Sequence, residues 1–256
     1  MAVAVLVTPA NAADVVPHRA TYDMKLSTAK RSSGVVEVRG VMIMETIDAC
    51  DAWESKQRIQ LTFLRNDSEE FTTDSTFASF EQKGGGMLQF SVRNAQNGEP
   101  DDELRGTAEM MPGAAGKAQF SLPERRQFDL PMGTLFPVSH LSQLIDDAKA
   151  GETVKSYSVF DGARLDGAFK VNAVMARLTR PTGPAPRGDV ALLRGQPGWA
   201  VRLAFFAANE REGQPEYEVA MDLYANGIAR AMVLDYGDLA IDAKLQRIEA
   251  LPRPKC

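Results

Sequence analysis

Apolar and polar residues alternate with a period of two through most of this chain, the pattern of a sheet with one dry face and one wet face. The clearest run places Trp53, Ser55, Gln57, Ile59, Leu61 and Phe63 on one side and Glu54, Lys56, Arg58, Gln60 and Thr62 on the other. Before it, Tyr22, Met24 and Leu26 alternate within His18 to Ala29, and Val36, Val38, Gly40, Met42 and Met44 share one face. After it come Phe71 to Gln82, then Leu88, Phe90 and Val92, then Leu104 to Met110, then Ala118, Phe120 and Leu122, ended by Pro123. Ser32-Ser33-Gly34, Asn66-Asp67-Ser68 and Gly84-Gly85-Gly86 separate these runs, and Asn97-Gly98 is a hairpin signal.

One segment has a different period. Between Thr134 and Ala150, Leu141, Leu144, Ile145 and Ala148 fall at helical spacing, after Pro137 and Ser139 and before Gly151. This predicts one amphipathic helix of about three turns that lays its apolar stripe on the concave side of a curled sheet. Strand patterning then resumes at Ser156 to Phe160 and at Phe169 to Met175, with Asp161-Gly162 and Asp166-Gly167 as turns. Further strands follow at Trp199 to Phe205, Tyr217 to Leu223, Ile228 to Tyr236 and Leu239 to Leu245. Pro181 to Gly188 is rich in proline and glycine; because the same strand pattern continues beyond it, it reads as a long loop rather than a domain boundary.

A dozen or more strands at near-regular spacing predict a mainly β protein, and a sheet that large must curl, split or close to hide its edges. The expected fold is one large curled antiparallel sheet, an open barrel with a single helix packed on it. The 256 residues are 44% hydrophobic, enough for a sizeable core. The net charge of −5 implies no general attraction to nucleic acid or to an anionic membrane surface. No apolar run approaches the roughly 18 residues of a spanning helix.

The N-terminus reads as the remnant of an export signal over residues 1–12, leaving residues 13–256 as one domain. Met1 to Val7 is apolar, Pro9 breaks it, and Ala10-Asn11-Ala12 is a small-x-small cleavage site. The competing reading is a short buried strand over Val3 to Val7. Export to the periplasm changes the meaning of the two cysteines, Cys50 and the final residue Cys256. In the cytosol they would be free thiols; in an oxidising compartment an even pair is expected to form a bridge, here across nearly the whole chain.

Candidate chemistry is sparse. His140 sits beside the apolar stripe of the predicted helix, and His18 is expected to be solvated near the mature N-terminus. Asp48 and Asp51 read as turn residues around Cys50, which has acidic neighbours and so no reason to be a low-pKa nucleophile. Asp222 and Asp235 read as solvated. Two cysteines and two separated histidines offer no metal-ligand spacing, and no catalytic set or cofactor motif is expected. Eleven methionines, several on strand faces, give a soft apolar surface that serves as core filling or as a groove for a peptide or lipid-like ligand. Met42, Met44, Trp53, Phe77, Trp199 and Met221 are the candidate groove residues. Two rival readings are an envelope enzyme in which Asp74 and His140 converge, and a structural protein whose outer face docks a partner.

Several motifs in order carry a family resemblance: His-Arg-Ala-x-Tyr-Asp-Met-x-Leu (His18 to Leu26), Ser-Gly-Val (Ser33 to Val35), Asp-Ala-Cys-Asp-x-Trp (Asp48 to Trp53), Asp-Ser-Thr-Phe (Asp74 to Phe77), Leu-Pro-x-Gly-Thr-Leu-Phe-Pro (Leu130 to Pro137), Val-Phe-Asp-Gly (Val159 to Gly162) and the terminal Cys256. Together they resemble the EipB-type periplasmic envelope-integrity proteins of alphaproteobacteria. The resemblance implies a β-spiral of about fourteen strands and a Cys50–Cys256 disulfide. It also implies a non-enzymatic role in envelope integrity exercised through other periplasmic proteins, including ones with tetratricopeptide repeats. Kinship of fold with periplasmic lipid or lipoprotein carriers makes a carrier the alternative.

Overall fold

The computed structural model describes residues 14–165, 167–207 and 213–256. The proposed signal, residues 1–12, and the turn residue Asp166 lie outside the described residues. The first half of the chain is a meander: β1 (His18–Ala29), β2 (Val35–Asp48), β3 (Ala52–Arg65), β4 (Glu70–Gln82), β5 (Met87–Gln96), β6 (Glu99–Glu109), β7 (Gly116–Leu122) and β8 (Arg126–Leu130). Helix α1 (Pro137–Lys149) follows, then β9 (Val154–Val159), β10 (Phe169–Arg177), the two-residue β11 (Arg187–Gly188), β12 (Gly198–Phe206), β13 (Tyr217–Tyr224), β14 (Ala229–Asp235) and β15 (Leu239–Ala250).

All of these strands belong to one sheet, in the order β8-β7-β6-β5-β4-β3-β2-β1-β15-β14-β13-β12-β10-β9, with β11 attached beside β15. Every pairing along that path is antiparallel; β11 alone pairs in parallel. The short connections explain the order, since consecutive strands joined by tight turns pair with each other. At Asn97 and Gly98 both residues have positive φ, 52° and 82°, which matches the turn to the twist of the flanking strands. The two ends of the sheet come together without strand pairing between β8 and β9. The segment after β8 runs beside β9 instead: Leu135 bridges Val159 in parallel, and Phe160 donates its N–H to the Leu135 carbonyl at 2.9 Å.

The inward face holds three apolar clusters. Leu144, Ile145 and Ala148 of α1 pack on Val171, Met175, Trp199 and Leu203, so the helix covers the sheet as its periodicity predicts. Tyr22, Met24, Met42, Ile241 and Leu245 fill the middle. Leu88, Phe90, Phe120, Leu130, Phe136 and Phe160 fill the remaining end, with Phe160 edge-on to Phe90 and Phe120 at centroid distances of 5.6 and 6.3 Å. A Cβ on Gly162 would stand 2.4 Å from the Phe90 ring, so the turn after β9 presses directly on that cluster.

Three positions depart from the sequence reading. His18 is buried, 5% exposed, because it continues the inward alternation of Ala20 and Tyr22; burial lowers its pKa, and Nδ1 lies 2.8 Å from the Val16 carbonyl. Asp222 does point outward, yet it is 8% exposed because the loop after β10 lies across it and donates the Thr182 N–H to its carboxylate at 2.6 Å. Val36 is 54% exposed rather than sharing the inward face of Val38, because the β2–β3 register shifts between Val35 and Glu37. The Pro181 to Gly188 loop is anchored rather than free. Pairing with β14 occupies β15 only from Ala240 to Lys244, and β11 takes the edge left open at Arg247 and Ile248.

Candidate functional site

Cys50 and Cys256 form a disulfide with a Cα–Cα distance of 5.8 Å, joining residues 206 apart in sequence. Cys50 sits in the β2–β3 turn at φ 65°, and its N–H is held by the Asp48 carboxylate at 3.0 Å. The Lys83 ammonium donates to the same carboxylate at 2.5 Å, lies over the Trp53 ring and holds the Asp48 pKa below the usual range. The tail that carries Cys256 crosses the start of β1: Leu251 donates to the Pro17 carbonyl, and Arg253 pairs with Asp14 at 3.0 Å. The expected turn role of Asp48 is therefore what the structure displays, and the bridge ties the last segment to the turn that opens β3.

The candidate groove residues do not gather in one place. Met42 is buried in the central cluster, and Met44 packs against it. Met221 is partly buried between the central and helix-side clusters. Trp199 is buried in the helix-side cluster, with the Arg177 guanidinium 5.8 Å from its ring. Trp53 is half-buried beneath Lys83, and Phe77 packs beside the Leu88–Phe90 cluster. Of these six, Phe77 alone lines either of two surface hollows.

Both hollows lie along the outward face of β2–β7. Strand register aligns that face in rows. Glu54, Phe80, Gln89, Thr107 and Gln119 stand side by side on β3 to β7, and Lys56, Ala78, Ser91 and Arg105 form the neighbouring row on β3 to β6. The larger hollow, about 910 Å³, runs over both rows to Arg125 and Arg126 at the β7–β8 turn. The smaller, about 440 Å³, continues from Lys56, Ala78 and Ser91 to Ile43, Arg58 and Arg93. The shared residues make one continuous groove. This is the polar phase of the same alternation that builds the core, which is the signal that could have located it.

The groove is polar and well donated. Arg58 grips Asp74 with both ends of its guanidinium, at 3.0 and 2.5 Å, and Gln60 adds a third bond at 2.9 Å. These bonds, chiefly that from Arg58, lower the Asp74 pKa, so the carboxylate is an acceptor fixed in its charged form. Glu54 pairs with Lys56, Glu45 pairs with Arg19, and Glu103 pairs with Arg93 and Arg105. Arg126 lies over the Phe128 ring at 5.1 Å. With its carboxylates engaged and no cysteine or histidine in its lining, the groove offers hydrogen bonds and positive charge rather than a nucleophile and a base.

Asp74 and His140, the pair an envelope enzyme would need, lie on opposite sides of the sheet. Asp74 points outward beside Arg58, while His140 is buried on α1, edge-on to Tyr157 at 4.9 Å. Burial pulls the His140 pKa down to about 4, so the ring is neutral at pH 7. Among the described residues, no three side chains of metal-ligating type converge.

A family model described as EipB-like matches residues 9–252. The chain belongs to the EipB-like family. It is 29% identical over 250 residues to the cell envelope integrity protein EipB of Brucella abortus (strain 2308), across 94% of this chain and 86% of that protein. The fold matches the crystal structure of a beta-barrel-like protein of a domain of unknown function from Brucella abortus, with a TM-score of 0.86 and 29% identity, covering 94% of this chain and all of that one. The expected single curled antiparallel sheet with one packed helix is thus the fold of this EipB-like chain, with β8 and β11 as the strands that sequence patterning passes over. No helix among the described residues is long and apolar enough to cross a membrane.

Proposed function

We propose that this protein supports the integrity of the cell envelope by binding, as an exported, oxidised periplasmic module, and that its contact surface is the outward groove of β2–β7. The envelope role is carried over from the cell envelope integrity protein of Brucella abortus to which the chain is similar. The observation that carries the binding reading is the groove itself: two adjoining hollows on one register-aligned face, lined by amides, hydroxyls and cations. Most of the residues that line it are polar or charged, and these interrupt the apolar surface of Ile43, Phe77, Phe80 and Phe120, whereas pockets that bind lipid tails present continuous apolar walls. The inward face gives the carrier alternative no support, since α1 and the turn at Gly162 are packed into it. Partner proteins of the periplasm, including those with tetratricopeptide repeats, belong to the same proposal as the cellular machinery that the bound module serves.

Complementation tests this reading. In a strain lacking the gene, wild-type protein restores survival on a membrane-disrupting detergent, and an Arg105→Glu/Arg126→Glu variant that melts like wild type fails to. A control with the same charge change away from the groove, Lys170→Glu/Arg202→Glu, restores it. Full rescue by the groove variant would remove the groove from the function.

A further inference from the structure

The groove has a charge opposite in sign to that of the whole molecule. Its lining contains six cations, Lys56, Arg58, Arg93, Arg105, Arg125 and Arg126, against two acids, Glu45 and Glu54, in a chain of net charge −5. Asp74 and Glu103 offset part of this from the margin by pairing with Arg58, Arg93 and Arg105. At the β7–β8 end Arg125 and Arg126 are exposed and form no ion pair among the described residues, and Glu124, in the same turn, stands outside the lining. Field lines from clustered charge in a concavity raise the local concentration of a counter-ion, so this end favours an anion.

What lies between the cations narrows the occupant. Gln89, Thr107, Gln119, Ser91 and Ser121 each bring donors and acceptors with no net charge, and Phe80 supplies a half-buried ring. Guanidinium forks match planar carboxylates and phosphates. An acyl chain finds no continuous apolar lining here. An extended peptide binds a sheet chiefly by adding a strand at an edge. The strands under this groove, β3 to β7, are each paired on both sides, so the floor presents side chains and no free backbone ladder. A sugar chain needs only such side-chain partners, because its hydroxyls are themselves donors and acceptors.

We propose that the groove holds an anionic sugar chain, whose carboxylates or phosphates meet the arginines near the β7–β8 turn while its hydroxyls meet the amides and hydroxyls of β5 to β7. The inference rests on the binding reading above and names the ligand class for that same surface.

The test is affinity electrophoresis of the full oxidised protein through gels containing polygalacturonate, phosphomannan, neutral dextran or poly-L-glutamate. The expected result is retardation by at least one anionic glycan, weakening as salt is raised, with none by dextran. Retardation by polygalacturonate alone assigns the carboxylate, by phosphomannan alone the phosphate, and by both a preference for charge on a sugar. Arg105→Glu/Arg126→Glu is expected to weaken binding about tenfold or more, and Lys170→Glu/Arg202→Glu to leave it unchanged. Poly-L-glutamate bound as tightly as the glycans overturns the assignment in favour of an acidic peptide. Failure of both anionic glycans, or equal effects of the two double variants, overturns it outright. If the groove variant also fails in complementation while no glycan binds, the ligand class is wrong and the binding reading stands; if it complements, the binding reading falls with it.

Discussion

Glu81 caps helix α1 from a strand more than fifty residues away in sequence. Its two carboxylate oxygens accept the Val138 and Ser139 N–H groups at 2.7 Å each, and the Ser139 hydroxyl at 2.5 Å. The helix needs this, because Phe136 at its N-cap has no side chain able to accept, and Pro137 begins the first turn without an N–H. The carboxylate also meets the positive end of the helix dipole. Glu81 is 1% exposed, and its burial pushes the pKa upward against the pull of the three bonds.

Replacing that carboxylate removes the cap and strands buried donors. Glu81→Gln, which turns one acceptor into a donor facing an N–H, is expected to cost about 2–3 kcal/mol of stability. Ser139→Ala, which removes only the hydroxyl bond, costs about 1 kcal/mol. Denaturant unfolding followed by circular dichroism gives both values, and equal losses would show that the backbone bonds contribute little.

The disulfide joins residues 206 apart in sequence. By loop-closure entropy, such a bridge stabilises the folded state by up to about 5 kcal/mol through restriction of the unfolded chain. Cys50→Ser/Cys256→Ser and the reduced wild type should therefore melt together, several degrees below the oxidised protein. Coincident melting of the reduced and oxidised forms would leave the bridge without a stabilising role.

Acid should weaken the fold through its histidines before its carboxylates. His140, with its pKa pulled from 6.5 to about 4, binds fewer protons folded than unfolded between those values, and the His18 pKa is displaced in the same direction. The His140 contribution is complete above pH 6.5 and is lost as the pH falls toward 4, worth about 3 kcal/mol over that range, and His18 adds to it with the same sign. His140→Leu removes the His140 part of this dependence and also a buried Nε2 that finds no hydrogen-bond partner among the described residues. Unfolding free energies at pH 7 and pH 5 should differ less in the variant than in wild type.

Gly162 holds the end of β9 against the β5–β7 cluster. Its φ is 74°, and the Phe90 ring lies 2.4 Å from where a Cβ would stand, so no side chain fits. Gly162→Ala is expected to cost more than about 1 kcal/mol, and hydrogen exchange should rise in β9 and at Leu135 first. Uniform loosening of the entire sheet would argue against a local latch.

Period-two alternation is nearly sufficient to read this fold, because the core and the solvent lie on opposite faces of one sheet and each strand records both. It fails where something outside the strand intervenes. Asp222 alternates outward as a solvated residue should, but a distant loop covers it; no property of its own strand reports that. Val36 follows the apolar phase, and a register shift beside it moves it into water. The strand β8 is short, with mixed exposure in Arg126–Leu130 and only Leu130 fully buried, so it carries almost no pattern. The groove is harder to read from sequence than the core. Methionines and tryptophans suggest a ligand surface, yet the fold uses most of them to fill its interior. The charged and amide residues that line the hollows look like ordinary solvated positions until strand register sets them side by side.

The first strand lies inside the sheet, and its two partners come from opposite ends of the chain: β2 follows directly, and β15 begins only at Leu239. A polypeptide emerging from the ribosome or through a translocation channel N-terminus first therefore shows one bare side of β1 for most of its synthesis. That side is a row of unsatisfied N–H and C=O groups, a template for any other extended chain. A truncated product ending before Leu239 is for this reason an adhesive fragment rather than a smaller working protein, and the arrival of the last strand is the event that makes the molecule safe to release.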